Sequence, residues 1–242
     1  MATVAVPRAA TGDANPAPPP PALTARQLFR CTFDTAEREF NAGTAFVIRH
    51  PRSPTRLLLV TAQHLFGAAG GLSHEVPSVE LPRFVRKVVL TDMASSASGT
   101  AGPALSIDGA RALSEGDVSH DVAAFVAPTS LQPRALELAK AAPQVGDRVW
   151  LFAEVRGGAP HGRLLHGATV IRSSPEELLY RFDDSTLMLR ATSGAPVVNV
   201  RGEVVGINLG GGADRGILFG EANPVVSVQR LLDGALAKKA TR

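Results

Sequence analysis

The sequence predicts an all-β protein, closed or sandwiched, that ends in one helix. Three observations carry this. Short apolar, β-branched runs recur with turn residues roughly every 8–12 positions, which gives about eleven or twelve strands. Glycine and proline number 23 and 18 among 242 residues, as short strands with many turns require. Helical spacing of apolar residues is sustained only near the C-terminus, so alternating strand–helix units are excluded.

The elements follow in order. Residues 1–26 are rich in Ala, Pro and Thr, with Pro18 to Pro21 in a row. Such a stretch buries too little surface to offset its ordering entropy, and a disordered or polyproline-like tail is expected. Phe29–Phe33 alternates apolar and polar residues, as a half-buried strand does. Gly43–Ile48 and Val85–Thr91 are further strands, and Arg56–Thr61 is a near-continuous apolar run suited to burial on both faces. Residues 92–103 are Ser-, Ala- and Gly-rich and read as a loop before a short strand at Val122–Val126. Prolines 128, 133 and 143 flank Arg134–Lys140, which fits two helical turns. The boundary between two halves, 27–130 and 131–242, is placed there.

The second half holds strands at Asp147–Phe152, Arg163–Arg172, Glu177–Phe182, Ala195–Val200, Glu203–Asn208 and Ile217–Glu221. Val225, Val228, Leu231, Leu232, Ala235 and Leu236 then recur at helical spacing, with Pro224 where a helix starts.

Composition narrows the function. Lys and Arg total 25 against 22 Asp and Glu, a formal charge of +3, and the basic residues are scattered without interleaved aromatics. No nucleic-acid partner is expected. Cys31 is the single cysteine, so no internal disulfide forms, and it reads as a small buried hydrophobe. No run approaches the ~18 apolar residues that cross a bilayer. No charged start with an apolar core follows Met1. A cytoplasmic location is expected, or a periplasmic or secreted one if a leader has been removed. No glycine precedes a Lys-Ser or Lys-Thr pair, and no ligand cluster has metal spacing, so neither cofactor nor metal is expected.

Three segments carry chemistry. Leu59–Leu65 runs a buried strand into His64; Ser119–Phe125 opens a strand with Asp121; Arg190–Val198 sets Ser193 in a tight turn before the next strand. Each alone is common as structure. Together, in the order His, Asp, Ser and each at an element edge, they form a nucleophile, its base and the base's orienting carboxylate. Of the other histidines, His50 and His74 read as solvated loop residues and His120 as facing away from the site. His161 and His166 read as turn residues beside glycines.

The segments Gly43–Ile48, Val60–His64, His120–Phe125, Ala191–Pro196 and Glu203–Asn208 resemble the trypsin-like (chymotrypsin-fold) serine peptidases, most of all short bacterial members without disulfides. The likeness covers roughly residues 28–236. It implies two six-stranded antiparallel β-barrels packed together with a C-terminal helix, and a serine endopeptidase acting on peptides or proteins. Ser193 would attack, His64 would move the proton, Asp121 would orient the imidazole, and the N–H groups of Ala191 and Ser193 would hold the oxyanion. It also implies a pocket with its base near Leu187 and its wall near Leu209, Gly210 and Gly211, suited to a small or medium apolar side chain before the cut. Asp183 and Asp184 lie just upstream and a shifted loop could bring one in. The Gly210–Gly212 run equally fits a hairpin tip. One departure stands out: the family pattern Gly-x-Ser-Gly-Gly-Pro has Ala191 and Ala195 here. A Cβ at 191 bears on the oxyanion loop, and the alternative is a catalytically impaired relative acting as a binding or scaffolding protein.

Overall fold

Alternation along the strands organises the N-terminal half. The computed structural model of the chain describes residues 18–95, 98–114 and 117–240. Strands β1 (Leu28–Thr35), β2 (Glu39–Asn41), β3 (Ala45–Arg49) and β4 (Leu57–Thr61) come first. A one-turn helix α1 (Leu81–Phe84), then β5 (Val85–Asp92), β6 (Ser98–Ala101), β7 (Ala123–Val126) and β8 (Leu136–Glu137) complete this half. Phe29, Cys31 and Phe33 of β1, Val47 of β3, Leu59 of β4 and Phe125 of β7 point into a core of their own. Phe46, Ile48, Leu58, Val60 and Ala124 point the other way, into a core shared with the C-terminal half. Two buried faces are why Leu57–Thr61 reads as one unbroken apolar run.

The N-terminal sheet corrects the expectation of a closed six-stranded antiparallel barrel. It has eight strands in the open order β6-β5-β1-β3-β4-β7, with β2 on β1 and β8 on β3, the last pair parallel. Closure would need a ladder between β6 and β7. The segment after β6 instead carries Gly102 and Pro103, and touches β7 through one bridge, Ala104 to Phe125. Three backbone bonds accompany it: Gly102 N to Val126 O, Val126 N to Pro103 O and Leu105 N to Ala124 O. Proline has no N–H to extend the ladder.

The C-terminal half is a closed barrel. Its strands are β9 (Arg148–Phe152), β10 (Leu165–Ser173), β11 (Leu178–Phe182), β12 (Pro196–Val198), β13 (Val204–Asp214) and β14 (Ile217–Pro224), in the order β10-β11-β14-β13-β12-β9. Helix α2 (Val225–Ala240) follows and buries Val225, Val228, Leu231, Leu232 and Ala235 in the shared core, on the face the spacing predicts.

Other expectations shift. Residues 92–103 hold β6, a Ser-Gly-Thr-Ala strand defined by its register on β5. Arg134–Lys140 is not helical: a 3-10 turn spans Thr129–Arg134 and then β8 pairs with β3. The Gly210–Gly212 run is strand, paired with Phe219–Glu221, and the hairpin turns at Arg215 and Gly216. Of the expected tail, residues 1–17 lie outside the described residues. Pro21 is buried, and Leu23 packs against the shared core. No helix among the described residues is long and apolar enough to cross a membrane.

Candidate active site

His64 is aimed by its neighbours. A 3-10 turn, Gln63–Phe66, follows β4 and buries Gln63, Leu65 and Phe66. Phe66 meets Phe33 edge-on with ring centroids 4.9 Å apart, and Gln63 Nε2 donates to Val76 O at 2.8 Å. With its neighbours fixed inward, the His64 side chain stays 10 % exposed at the edge of the site.

Asp121 stands just before β7 and is fully buried. His64 Nδ1 donates to its Oδ2 at 2.7 Å, and Leu113 N donates to the same oxygen at 2.9 Å. Oδ1 accepts the backbone N–H groups of Gln63 at 2.6 Å and His64 at 3.1 Å. Four donors thus balance a buried carboxylate, and one of them fixes the imidazole tautomer with Nε2 free to act as acceptor.

Ser193 lies in the turn before β12. Its hydroxyl donates to Leu209 O at 3.1 Å; it makes no direct hydrogen bond to His64. The backbone around it is ordered by its carbonyls. Leu189 O accepts Thr192 N at 3.1 Å and the Thr192 hydroxyl at 2.6 Å. Ala191 O accepts the Thr44 hydroxyl at 3.2 Å, and Ser193 O accepts Thr44 N at 2.8 Å. Asn208 Nδ2 donates to Thr192 O and to Thr192 Oγ1, both at 3.0 Å, while its Oδ1 accepts from Tyr180 OH at 2.6 Å. Burial raises the Tyr180 phenol above its ordinary value, so it stays a donor. The N–H groups of Ala191 and Ser193 bond no acceptor among the described residues.

Two left-handed residues make this turn. Gly194 has φ +84°, and a Cβ there would sit 2.2 Å from Thr61 Oγ1 and 2.3 Å from Thr44 O. Ala191 has φ +69°, in the region the family pattern reserves for glycine.

Of the residues expected to form the pocket, Leu209, Gly210 and Gly211 lie on β13 and Leu187 in the loop before Ser193. Leu187 and Leu209 are buried in the shared core. Gly211 faces Gly220 across the β13–β14 ladder, and a Cβ on it would meet Phe219 O and Leu189 Cδ1. A cleft of about 800 Å³ at Ser193 has Gly43, Leu65 and Ala191 in its lining, and Leu209 meets Ser193 through its carbonyl oxygen. Asp183 and Asp184 are engaged elsewhere. Asp183 takes a bidentate bond from Arg148, which holds its carboxyl below the usual range, and Asp184 accepts the Thr186 hydroxyl at 2.6 Å.

Two histidines also differ from expectation. His50 is buried under α2, with Nε2 3.4 Å from Asp233 Oδ1. His166 lies within β10, also buried, its Nε2 donating to Ala153 O at 3.1 Å. Burial lowers the pKa of both. His120 bonds Asp117, not Asp121. Sequence reasoning missed Thr44, Leu113, Tyr180 and Asn208. Tyr180 is the single tyrosine, and a lone tyrosine inside an apolar strand is a signal that its hydroxyl has a partner.

Against known proteins, the family model described as the trypsin-like peptidase domain matches residues 43–207. No curated protein matches the sequence. Among solved structures, the chain is similar to the inactive form of Rv3671c from M. tuberculosis, with 19% identity, 88% of each chain covered and a TM-score of 0.52. It is similar to the thermostable serine protease AL20 from an extremophilic microorganism, at 16% identity over 88% of this chain and 98% of that one, with a TM-score of 0.56. A serine endoprotease from Yersinia pestis gives 14% identity, 88% and 64% coverage and a TM-score of 0.56. At these identities the likeness is one of fold.

Proposed function

This chain belongs to the trypsin-like peptidase domain family, and we propose that it is a serine endopeptidase working through an acyl-enzyme. The observation that carries the reading is the 2.7 Å bond from His64 Nδ1 to the buried Asp121. It leaves Nε2 as the acceptor that a serine hydroxyl needs. The Ser193 Oγ–H bond breaks as Oγ attacks the scissile carbonyl carbon, and the proton passes to His64 Nε2. The oxyanion accepts from the N–H groups of Ala191 and Ser193. The intermediate collapses, His64 protonates the departing amine, and water repeats the sequence on the acyl-enzyme. Asp121 holds the imidazole in place and steadies the imidazolium. For attack, Ser193 must turn about its Cα–Cβ bond away from Leu209 O, a move between staggered rotamers.

In this reading residues 27–130 supply His64 and Asp121, residues 131–242 supply Ser193, and the interface between them is the site. The chain before the cut runs along Leu209–Gly211, with Leu187 beneath it and a small or medium apolar side chain preferred. The open space at Gly210 and the apolar, buried Leu187 and Leu209 support that preference.

A second reading, a non-catalytic binding or scaffolding protein, is favoured by one observation: the Ser193 hydroxyl bonds Leu209 O. A fluorophosphonate probe separates the two. Labelling that disappears in Ser193→Ala supports the peptidase; a well-folded protein that takes no label supports the scaffold.

A further inference from the structure

A cleft of about 800 Å³ lies beside Ser193, lined on one side by Gly43, Thr44 and Leu65 and on the other by Glu154, Val155 and Arg156 of the C-terminal half. Leu65 and Val155 give it an apolar floor. Its rim is charged: Arg30, Arg156 and Arg190 face one carboxylate, Glu154. Glu154 is already paired with Arg30. Arg156 and Arg190 are exposed and bond no carboxylate among the described residues. The cleft therefore carries an excess of positive charge within reach of the candidate nucleophile.

We propose that this cleft takes the leaving-group half of the substrate and selects acidic side chains at the second and third residues after the cut. The inference rests on the endopeptidase reading, in which the chain before the cut lies along Leu209–Gly211. A peptide crossing Ser193 from there enters the cleft. The residue next to the cut meets the apolar floor. Side chains one or two residues further, each about 3.3 Å along, reach Arg156 and Arg190. A guanidinium presents parallel donors that match a carboxylate in two bonds. Arginines on a rim also steer an acidic peptide inward, and salt weakens that steering.

The test uses internally quenched peptides with one common acyl half and an amidated C-terminus. They differ only at the second and third residues after the cut: Glu-Glu, Gln-Gln or Lys-Lys. The amide removes any chain-end carboxylate as a rival ligand. Expected is a kcat/KM for the Glu-Glu peptide about tenfold above Gln-Gln, with Lys-Lys lower still, compressed at about 0.5 M salt. Arg156→Glu combined with Arg190→Glu is expected to invert the order. Equal rates, or an order the double variant leaves unmoved, overturn the cleft assignment while the peptidase reading stands. If Ser193 takes no fluorophosphonate and no peptide is cut, the peptidase reading falls. The same peptides with a fluorescent tag then test the cleft by anisotropy. Tighter binding of the Glu-Glu peptide that the double variant loses sustains the assignment, and equal binding overturns it.

Discussion

The Thr44 hydroxyl donates to the Ala191 carbonyl oxygen at 3.2 Å, tying the N-terminal sheet to the one residue of the Ser193 turn that holds a left-handed backbone with a side chain. Thr44 N also donates to Ser193 O, and Thr44 O accepts the hydroxyl of Thr61, the last residue of β4, at 2.8 Å. Thr44 thus links the strand that leads to His64 to the turn that holds Ser193.

Thr44→Val keeps the shape and removes the bond. A lost hydrogen bond of about 1 kcal/mol predicts a fall in kcat of roughly fivefold, with KM little changed. Alanine at φ +69° costs roughly 1–2 kcal/mol that glycine does not. Ala191→Gly alone is therefore expected to leave activity equal or higher, and to soften the effect of Thr44→Val. Steady-state kinetics on the four proteins of the cycle measure this; strictly additive effects would remove the coupling.

Asp121→Asn is expected to cut kcat by about 10⁴ by losing the orienting acceptor. Here it also faces three backbone donors, from Gln63, His64 and Leu113. An amide NH₂ must point at one of them, so a stability loss of roughly 1–3 kcal/mol accompanies the rate loss. Turnover near the parent value would take Asp121 out of the proposed mechanism.

Tyr180→Phe leaves Asn208 Oδ1 buried without its 2.6 Å donor. The expected cost is about 1–3 kcal/mol, read as a Tm lower by roughly 2–4 °C per kcal/mol. Asn208 also holds Thr192, so slower fluorophosphonate labelling of Ser193 should accompany the lower Tm. An unchanged labelling rate would confine Tyr180 to stability.

His50 and His166 have pKa values below the ordinary 6.5, chiefly because burial disfavours their charged forms, although Asp233 partly offsets this for His50. Below that pH the unfolded chain binds protons that the folded chain refuses. Stability is then full above about pH 7.5 and falls on acidification through pH 6.5. Urea midpoints at several pH values measure the slope, and His50→Asn or His166→Asn should flatten it. A midpoint that rises on acidification over this range would contradict the assignment.

Much of the fold is legible where a strand's burial is its own doing. Leu57–Thr61 and Arg148–Phe152 are apolar enough to declare themselves. The strand at Ser98–Ala101 is not, because small residues there are held by register on β5 and not by preference. Leu136–Glu137 reads as helix until β3 offers it a parallel partner. His50 reads as a solvated loop residue and His166 as a turn residue beside Gly167, although tertiary packing buries both. At the candidate site, His64, Asp121 and Ser193 stand out because residue type and element edge coincide. Leu113 acts through its backbone N–H, and the Thr44 hydroxyl reaches a backbone carbonyl far along the chain, so no side-chain pattern encodes either contact.

The border between β6 and β7, held by one bridge and three backbone bonds just past β6, has a consequence for how the molecule fails. His64 and Asp121 belong to the half with the weaker perimeter, and Ser193 to the half whose ladder is continuous. Local opening begins where cross-strand bonds are fewest, so deuterium enters the amides of Gly99–Ala101 before those of β12. On the proposed mechanism, mild warming is expected to separate His64 and Asp121 from Ser193 while the C-terminal half is still intact, so that activity falls reversibly well short of melting.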